Sequence, residues 1–202
     1  KEILPEQDYL FPFENMEVYI PKDTFFDLEY LDFKATQDTL HLDKDRLFLR
    51  KPMALEFIRS GLTPEEKKQT CIASIIKDKA YFIPTKTKED VFRASVKTLG
   101  TYTLVKDTIA PQLYPKNFKA NQSIKRFRFL TFRAEDEFSG IAKYNGYING
   151  EWVLLEYEPK NNTLTFDLSD LKTKTDELQV EVIVEDGVGN QTEFKTQVFY
   201  NK

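Results

Sequence analysis

The stretch that decides the fold is YNGYINGEWVLLEYEP, residues 144–159. Its centre, Asn149-Gly150, combines the two residue types that best tolerate the positive φ angles of a two-residue type I′ hairpin turn. The turn places four side chains on one face of the predicted hairpin, in two cross-strand pairs: Tyr147 with Trp152, and Lys143 with Glu156. The opposite face points towards the core with Tyr144, Val153, Leu155 and Tyr157. The stretch therefore predicts antiparallel β-structure.

Alternation of apolar and polar residues extends this prediction along the chain. It is clear in MEVYI (16–20), MALEF (53–57), VFRASVK (91–97), FRFLTFRAE (127–135), LQVEVIVED (178–186) and TEFKTQVFY (192–200). One short helix is predicted at GLTPEEKKQ, where Thr63 is the N-cap, Pro64 the first helical residue and Glu66 completes a capping box. About seven short strands in the second half are typical of an immunoglobulin-like sandwich, here without its cysteine pair.

The length of 202 residues is sufficient for two domains of ordinary size. A change in composition occurs at LGTYTLVKDTIAPQLYP (99–115). This stretch closes a strand and then supplies Asp107, Pro111 and Pro115, which predict a short, stiff linker. We therefore expect an all-β chain of two consecutive β-sandwich domains, residues 1–106 and 107–202, the second immunoglobulin-like.

The residues of common catalytic and metal sites are scarce. The chain has one histidine, His41, and one cysteine, Cys71, too few for a zinc site of histidines and cysteines or for a conventional Ser-His-Asp triad without G-x-S-x-G. Motifs that cradle nucleotide phosphates are missing as well. Acidic runs such as Glu135–Glu137 cannot be told from solvated turn charges by sequence alone. We expect no catalytic residue, no bound metal and no cofactor, and thus a chain that is not itself an enzyme.

Charge and hydropathy limit the partners. With 29 basic and 33 acidic residues, the formal net charge is -4, so nucleic acid is not an expected partner. The basic segment KRFRF (125–129) fits an ordinary amphipathic strand. No run approaches the roughly 20 apolar residues that cross a bilayer, so the chain is not expected to span a membrane.

Two features could bind a ligand. The Tyr147/Trp152 pair, flanked by Lys143 and Glu156, could stack on a sugar ring or contact a protein, although such pairs also stabilise hairpins without a ligand. The segment VEDGVGN (184–190) could be a calcium loop, a phosphate cradle or a hairpin turn. A helix-loop-helix calcium loop needs a closing Glu at position 12, which is Gln197 here, and a phosphate cradle needs a following helix. A hairpin is therefore favoured.

The segments AEDEFSGI (134–141) and VEDGVGN resemble the paired turns of bacterial immunoglobulin-like domains in envelope and surface proteins. Together with VYIPKDTFFD, LRKPMALEF, LGTYTLVKDTIAPQLYP and INGEWVLLEYEP, they extend the likeness to nearly the whole chain. It resembles the accessory C-terminal region of the lysostaphin-like zinc metallopeptidases of Gram-negative envelopes. Those peptidases hold zinc with an H-x(n)-D pair and a later H-x-H, and this chain has neither, so the resemblance carries over no metal ligand or catalytic residue.

The resemblance implies a non-catalytic binding or scaffolding module in the periplasm, at the outer membrane or on the cell surface. Its implied role is that of an accessory region of a cell-wall metallopeptidase, or of a relative lacking the catalytic domain. The implied partners are a peptidase domain, peptidoglycan or another glycan. The alternative function is a carbohydrate-binding or adhesion module that uses the Tyr147/Trp152 face.

Overall fold

A computed structural model of the chain describes residues 1–43, 47–172 and 175–200. The described residues form twenty β-strands and one six-residue α-helix. The chain divides into two compact units, Lys1–Asp107 and Thr108–Lys202. The prediction of an all-β chain made of two β-sandwiches, the second immunoglobulin-like, is confirmed.

The first unit contains twelve strands and the helix α1 (Pro64–Gln69). The strands are β1 (Glu2–Ile3), β2 (Tyr9–Pro12), β3 (Met16–Ile20), β4 (Glu29–Tyr30), β5 (Phe33–Ala35), β6 (Thr39–Leu42), β7 (Phe48–Ile58), β8 (Thr70–Ile76), β9 (Lys79–Ile83), β10 (Thr85–Lys88), β11 (Val91–Thr98) and β12 (Gly100–Lys106). Sheet one has the order β10-β11-β7-β3-β2, sheet two has the order β5-β6-β12-β8-β9, and β1 pairs with β4.

A shared core holds these two sheets together. Alternate residues of β7 such as Leu55 and Phe57, from sheet one, are buried in the same cluster as Leu40, Ile72 and Tyr102 from sheet two. Burial of apolar side chains from both inner faces is what stabilises a sandwich.

The helix α1 begins as predicted. The hydroxyl of Thr63 accepts the N–H of Glu66 at 3.2 Å, and the Glu66 carboxylate accepts the N–H of Thr63 at 2.9 Å, which completes the capping box. Lys106 Nζ donates to the same carboxylate at 3.2 Å. These two hydrogen bonds lower the pKa of Glu66 to about 2, and the bond from the Thr63 N–H has the larger effect.

This lowered pKa predicts a pH dependence. The capping contribution is complete above the ordinary glutamate pKa of 4.5 and is lost as the pH falls towards about 2. We expect the urea midpoint of the first unit to fall across this window, and to fall less in Glu66→Gln. The unfolding of the first unit is followed by the amide NMR signals of β8. The control is Glu65→Gln, on the same helix, which is expected to keep the pH dependence of the parent protein.

Equal pH dependence of the urea midpoint in the parent protein and in Glu66→Gln would contradict the role of the Glu66 carboxylate in the cap.

The second unit contains eight strands and one 3₁₀ turn (Leu168–Asp170). The strands are β13 (Gln112–Pro115), β14 (Phe129–Glu135), β15 (Ile141–Ile148), β16 (Glu151–Val153), β17 (Glu156–Glu158), β18 (Thr163–Asp167), β19 (Glu177–Asp186) and β20 (Gln191–Phe199). Sheet three has the order β13-β14-β18-β17 and sheet four has the order β16-β15-β19-β20. Their shared core includes Phe132 and Phe166 from sheet three and Val180, Val182 and Val198 from sheet four.

The linker is shorter than its two prolines indicate. The strand that closes before it is β12 (Gly100–Lys106), and residues 107–111 separate it from β13 (Gln112–Pro115), which ends at Pro115. One local prediction was wrong. The basic segment at residues 125–128 is a turn rather than a strand, and β14 begins at Phe129. The chain turns there because the N–H of Phe127 bonds to the carbonyl of Ile124 at 2.9 Å.

Candidate functional site

The hairpin β15–β16 carries the predicted aromatic pair. Asn149 and Gly150 have φ angles of 53° and 79°, as a type I′ turn requires. Tyr147 faces Trp152 directly across the two strands. The turn is also fixed from the neighbouring strand, since the Asn149 side-chain oxygen accepts the N–H of Gln179 at 2.8 Å.

The predicted Lys143/Glu156 pair was wrong. After Val153 the chain leaves sheet four, and Glu156 begins β17 in sheet three. The crossing is fixed by Leu155, which is buried against Gly146; a Cβ on Gly146 would lie 2.9 Å from Leu155 Cγ. Lys143 instead forms an ion pair with Glu185 of β19 at 2.5 Å.

The outer face of sheet four, called here the aromatic face, is organised in cross-strand rows. One row runs Trp152, Tyr147, Glu181, Lys195, and the next runs Asn145, Ile183, Glu193. Trp152 is 58% exposed, although it is the largest side chain on this face. Its indole N–H donates to the Asn145 side-chain oxygen at 3.3 Å, which ties the ring to the neighbouring strand β15.

The charged side of the aromatic face is formed by three residues. Lys195 Nζ lies 2.6 Å from a Glu193 oxygen and 3.5 Å from a Glu181 oxygen. The hydrogen bond from Lys195 lowers the pKa of Glu193, and the same bond raises the pKa of Lys195. These charges are thus paired beside the aromatic residues and can also bond to a ligand.

Two grooves flank the segment from Trp152 to Leu154. The first, of about 410 Å³, is closed by Phe166 and by Leu171 after the 3₁₀ turn. The second, of about 460 Å³, lies between this segment and residues 142–146 of β15. Both form because β16 ends after three residues and the chain moves away from β15.

The two quoted turn motifs form matching structures in the second unit. Asp136 Oδ1 accepts the N–H groups of Phe138, Ser139 and Gly140 at 3.0, 2.7 and 2.8 Å. Asp186 Oδ1 accepts those of Val188, Gly189 and Asn190 at 3.0, 2.6 and 2.8 Å. VEDGVGN is therefore the hairpin turn between β19 and β20.

Carboxylate oxygens of Asp136 and Asp186 lie within 4.8 Å of each other. Two acidic side chains at this distance could contact a cation, but each already serves as the acceptor that holds its own turn. Their turn contacts account for their placement, and no metal-binding role is assigned to them.

The two residues considered for zinc or triad chemistry have structural positions. His41 is exposed on β6, with Nδ1 3.0 Å from Thr101 Oγ1. Cys71 is buried at the start of β8. No helix among the described residues has the length and hydropathy needed to cross a bilayer.

The fold and this face define an all-β protein built from β-sandwich units, with an exposed aromatic sheet face. The family model of the Zu5-like domain matches residues 4–107, a little over half of the chain. The chain belongs to this family. No curated protein sequence matches it.

Among solved structures, the fibronectin(III)-like modules of Clostridium thermocellum CbhA are similar to this chain with a TM-score of 0.36 and 15% sequence identity. The match covers 84% of this chain and 93% of that chain. At this TM-score the likeness says nothing about function.

Proposed function

We propose that the chain is a non-catalytic binding module of the bacterial cell envelope whose aromatic face contacts a glycan. The observation that carries this proposal is the exposure of Trp152, 58%, directly beside Tyr147. A tryptophan that is held on a sheet by a side-chain hydrogen bond and left open to solvent is the kind of residue that anchors binding surfaces.

A glycan fits the chemistry around these rings. The faces of pyranose rings are apolar and match an indole plane, while their hydroxyl groups need donors and acceptors at the edge. Glu181 lies opposite Tyr147 on the neighbouring strand, and Lys195 lies opposite Glu181 on the strand after that. Asn145 lies two residues before Tyr147 on β15, in the next row of the aromatic face. The face thus offers an apolar platform with both kinds of hydrogen-bonding partner at its margin.

Trp152→Ala tests this function. We expect the variant to lose about tenfold or more in affinity for an insoluble glycan, because an exposed aromatic anchor carries much of the binding free energy. The measurement is the retained fraction on insoluble peptidoglycan, cellulose and chitin over a series of protein concentrations.

The matched control is Tyr30→Ala, which removes an aromatic side chain of 67% exposure from the first unit. It is expected to bind like the unchanged protein. Unchanged retention of Trp152→Ala on every glycan that the parent binds, or no retention of the parent, would reject a glycan-binding role.

A second candidate function is that of an accessory region beside a cell-wall metallopeptidase domain, in the periplasm, at the outer membrane or on the cell surface. The matching turns at Asp136 and Asp186 support it, since these motifs carry the resemblance to such regions. Sequencing the gene on both sides of this segment tests it. A neighbouring domain with an H-x-H motif supports the proposal, and its absence contradicts it.

A further inference from the structure

Among the residues of the second unit that the structure describes, three of the four sheet edges are protected against pairing with a further strand. The strand β13 follows Pro111 and ends in Pro115, and β17 has three residues and is followed by Pro159. The edge of β20 is covered by the chain's own backbone: Asn121 N–H donates to Gln197, Ile124 N–H to Phe199, and Phe199 N–H to Gln122. Prolines, short strands and covering segments are the usual ways to prevent edge pairing.

The fourth edge is open along β15. The strand β16 pairs only with residues 146–148, whereas β19 pairs along β15 from Ile141 to Ile148. Within the described part of the chain, no strand pairs with residues 142–145 on the β16 side. A bulge at residues 141–143 precedes this stretch.

The direction of the free backbone groups follows from the ladder. Asn149 N–H donates to the carbonyl of Gln179 in β19, so odd-numbered residues of β15 direct their backbone groups to β19. Even-numbered residues direct theirs to the other side. Gly146 and Ile148 direct theirs to β16, so Tyr144, between the bulge and Gly146, presents its N–H and C=O to the open edge.

The 460 Å³ groove lies along this edge. Its inner side is apolar, with the half-buried ring of Tyr144 and the buried Leu155, and Leu154 at its rim is 59% exposed. Its outer side carries the polar Lys143 and Asn145. A strand in this groove would thus need apolar side chains on one face and polar ones on the other.

We propose that an extended peptide segment of a partner protein adds to β15 at residues 142–145 as an antiparallel strand, in line with β16. The N–H and C=O of one residue in an extended main chain match the acceptor and donor that Tyr144 presents. Glu156 is exposed and comes directly after Leu155, which lines the groove, and it favours a basic residue in the peptide because Lys143 is already paired with Glu185. A second copy of this chain is disfavoured, since both copies would carry a net charge of -4.

The test uses a capped seven-residue peptide of alternating valine and threonine with a lysine at each end, added to the ¹⁵N-labelled full chain. We expect the Tyr144 amide signal to move downfield and its hydrogen exchange to slow. N-methylation of the valines, which lie opposite Tyr144 and donate towards β15, is expected to weaken binding at least tenfold. N-methylation of the threonines, which face away, leaves binding unchanged.

Leu154→Lys places a charge in the groove and is expected to weaken peptide binding at least fivefold. The matched control is Leu28→Lys, on a first-unit leucine of 42% exposure, which binds as the parent does. The proposal is overturned if the Tyr144 amide signal does not move on addition of peptide, or if the two N-methylated peptides bind equally well. It is also overturned if the Tyr144 signal shifts with protein concentration in the absence of peptide, because two copies of the chain would then be pairing. None of these outcomes depends on glycan binding by Trp152.

Discussion

Replacing Asp186 with alanine is expected to lower the free energy of unfolding of the second unit by about 3 kcal/mol. The side chain is 1% exposed, and its Oδ1 accepts three N–H groups of the β19–β20 turn. Its Oδ2 accepts the side-chain amide of Asn190 at 2.8 Å. Alanine leaves these donors without their acceptor in a place where water replaces it poorly, and unsatisfied buried groups are costly.

The measurement is urea unfolding followed by the fluorescence of Trp152, the only tryptophan and a residue of the second unit. The matched control is Asp136→Ala, which removes the same kind of turn acceptor from a half-buried position. Water can reach its donors more easily, so a loss of about 1 kcal/mol is expected. A loss below about 1 kcal/mol for Asp186→Ala would show that the carboxylate does not hold this turn.

The fold was predictable where the signals are local. Alternation identified β3, β7, β14 and β19, because a sheet buried on one face imposes a period of two on its side chains. The helix start at Thr63 and the turn at Asn149 were predictable for a similar reason, since capping and positive φ depend on a few adjacent residues.

The crossing from sheet four to sheet three was not predictable from alternation. The run from Trp152 to Tyr157 resembles one continuous strand, and the local pattern is the same whether the chain stays in a sheet or changes sheets. The change depends on Leu155 packing against Gly146, a contact between residues nine positions apart. The error at Lys143/Glu156 followed directly, since that pair assumed an uninterrupted hairpin.

The candidate site was only partly predictable for the same reason. The Tyr147/Trp152 pair follows from the turn and its register. The open edge of β15 does not, because it depends on where β16 ends and on which other edges are covered. Residues 121–124 cover β20 from a distant part of the sequence, and no periodicity indicates such a contact.

Replacing Phe132 with alanine is expected to cost the second unit about 4 kcal/mol. The ring is 1% exposed and lies between two others, with centroid distances of 5.3 Å to Phe118 and 5.9 Å to Phe194, both edge-on. These contacts join sheet three, sheet four and the segment after β13, so removal of the ring leaves a cavity that no single element can close.

The matched control is Phe129→Ala on the same strand, where the ring is 37% exposed and lies 4.8 Å from the Arg128 guanidinium. Since water already reaches this ring, its removal creates no closed cavity, and a loss under about 1 kcal/mol is expected. Urea unfolding followed at Trp152 compares the two variants. Equal losses would contradict the assignment of opposite faces of β14 to core and solvent, on which the sandwich of the second unit depends.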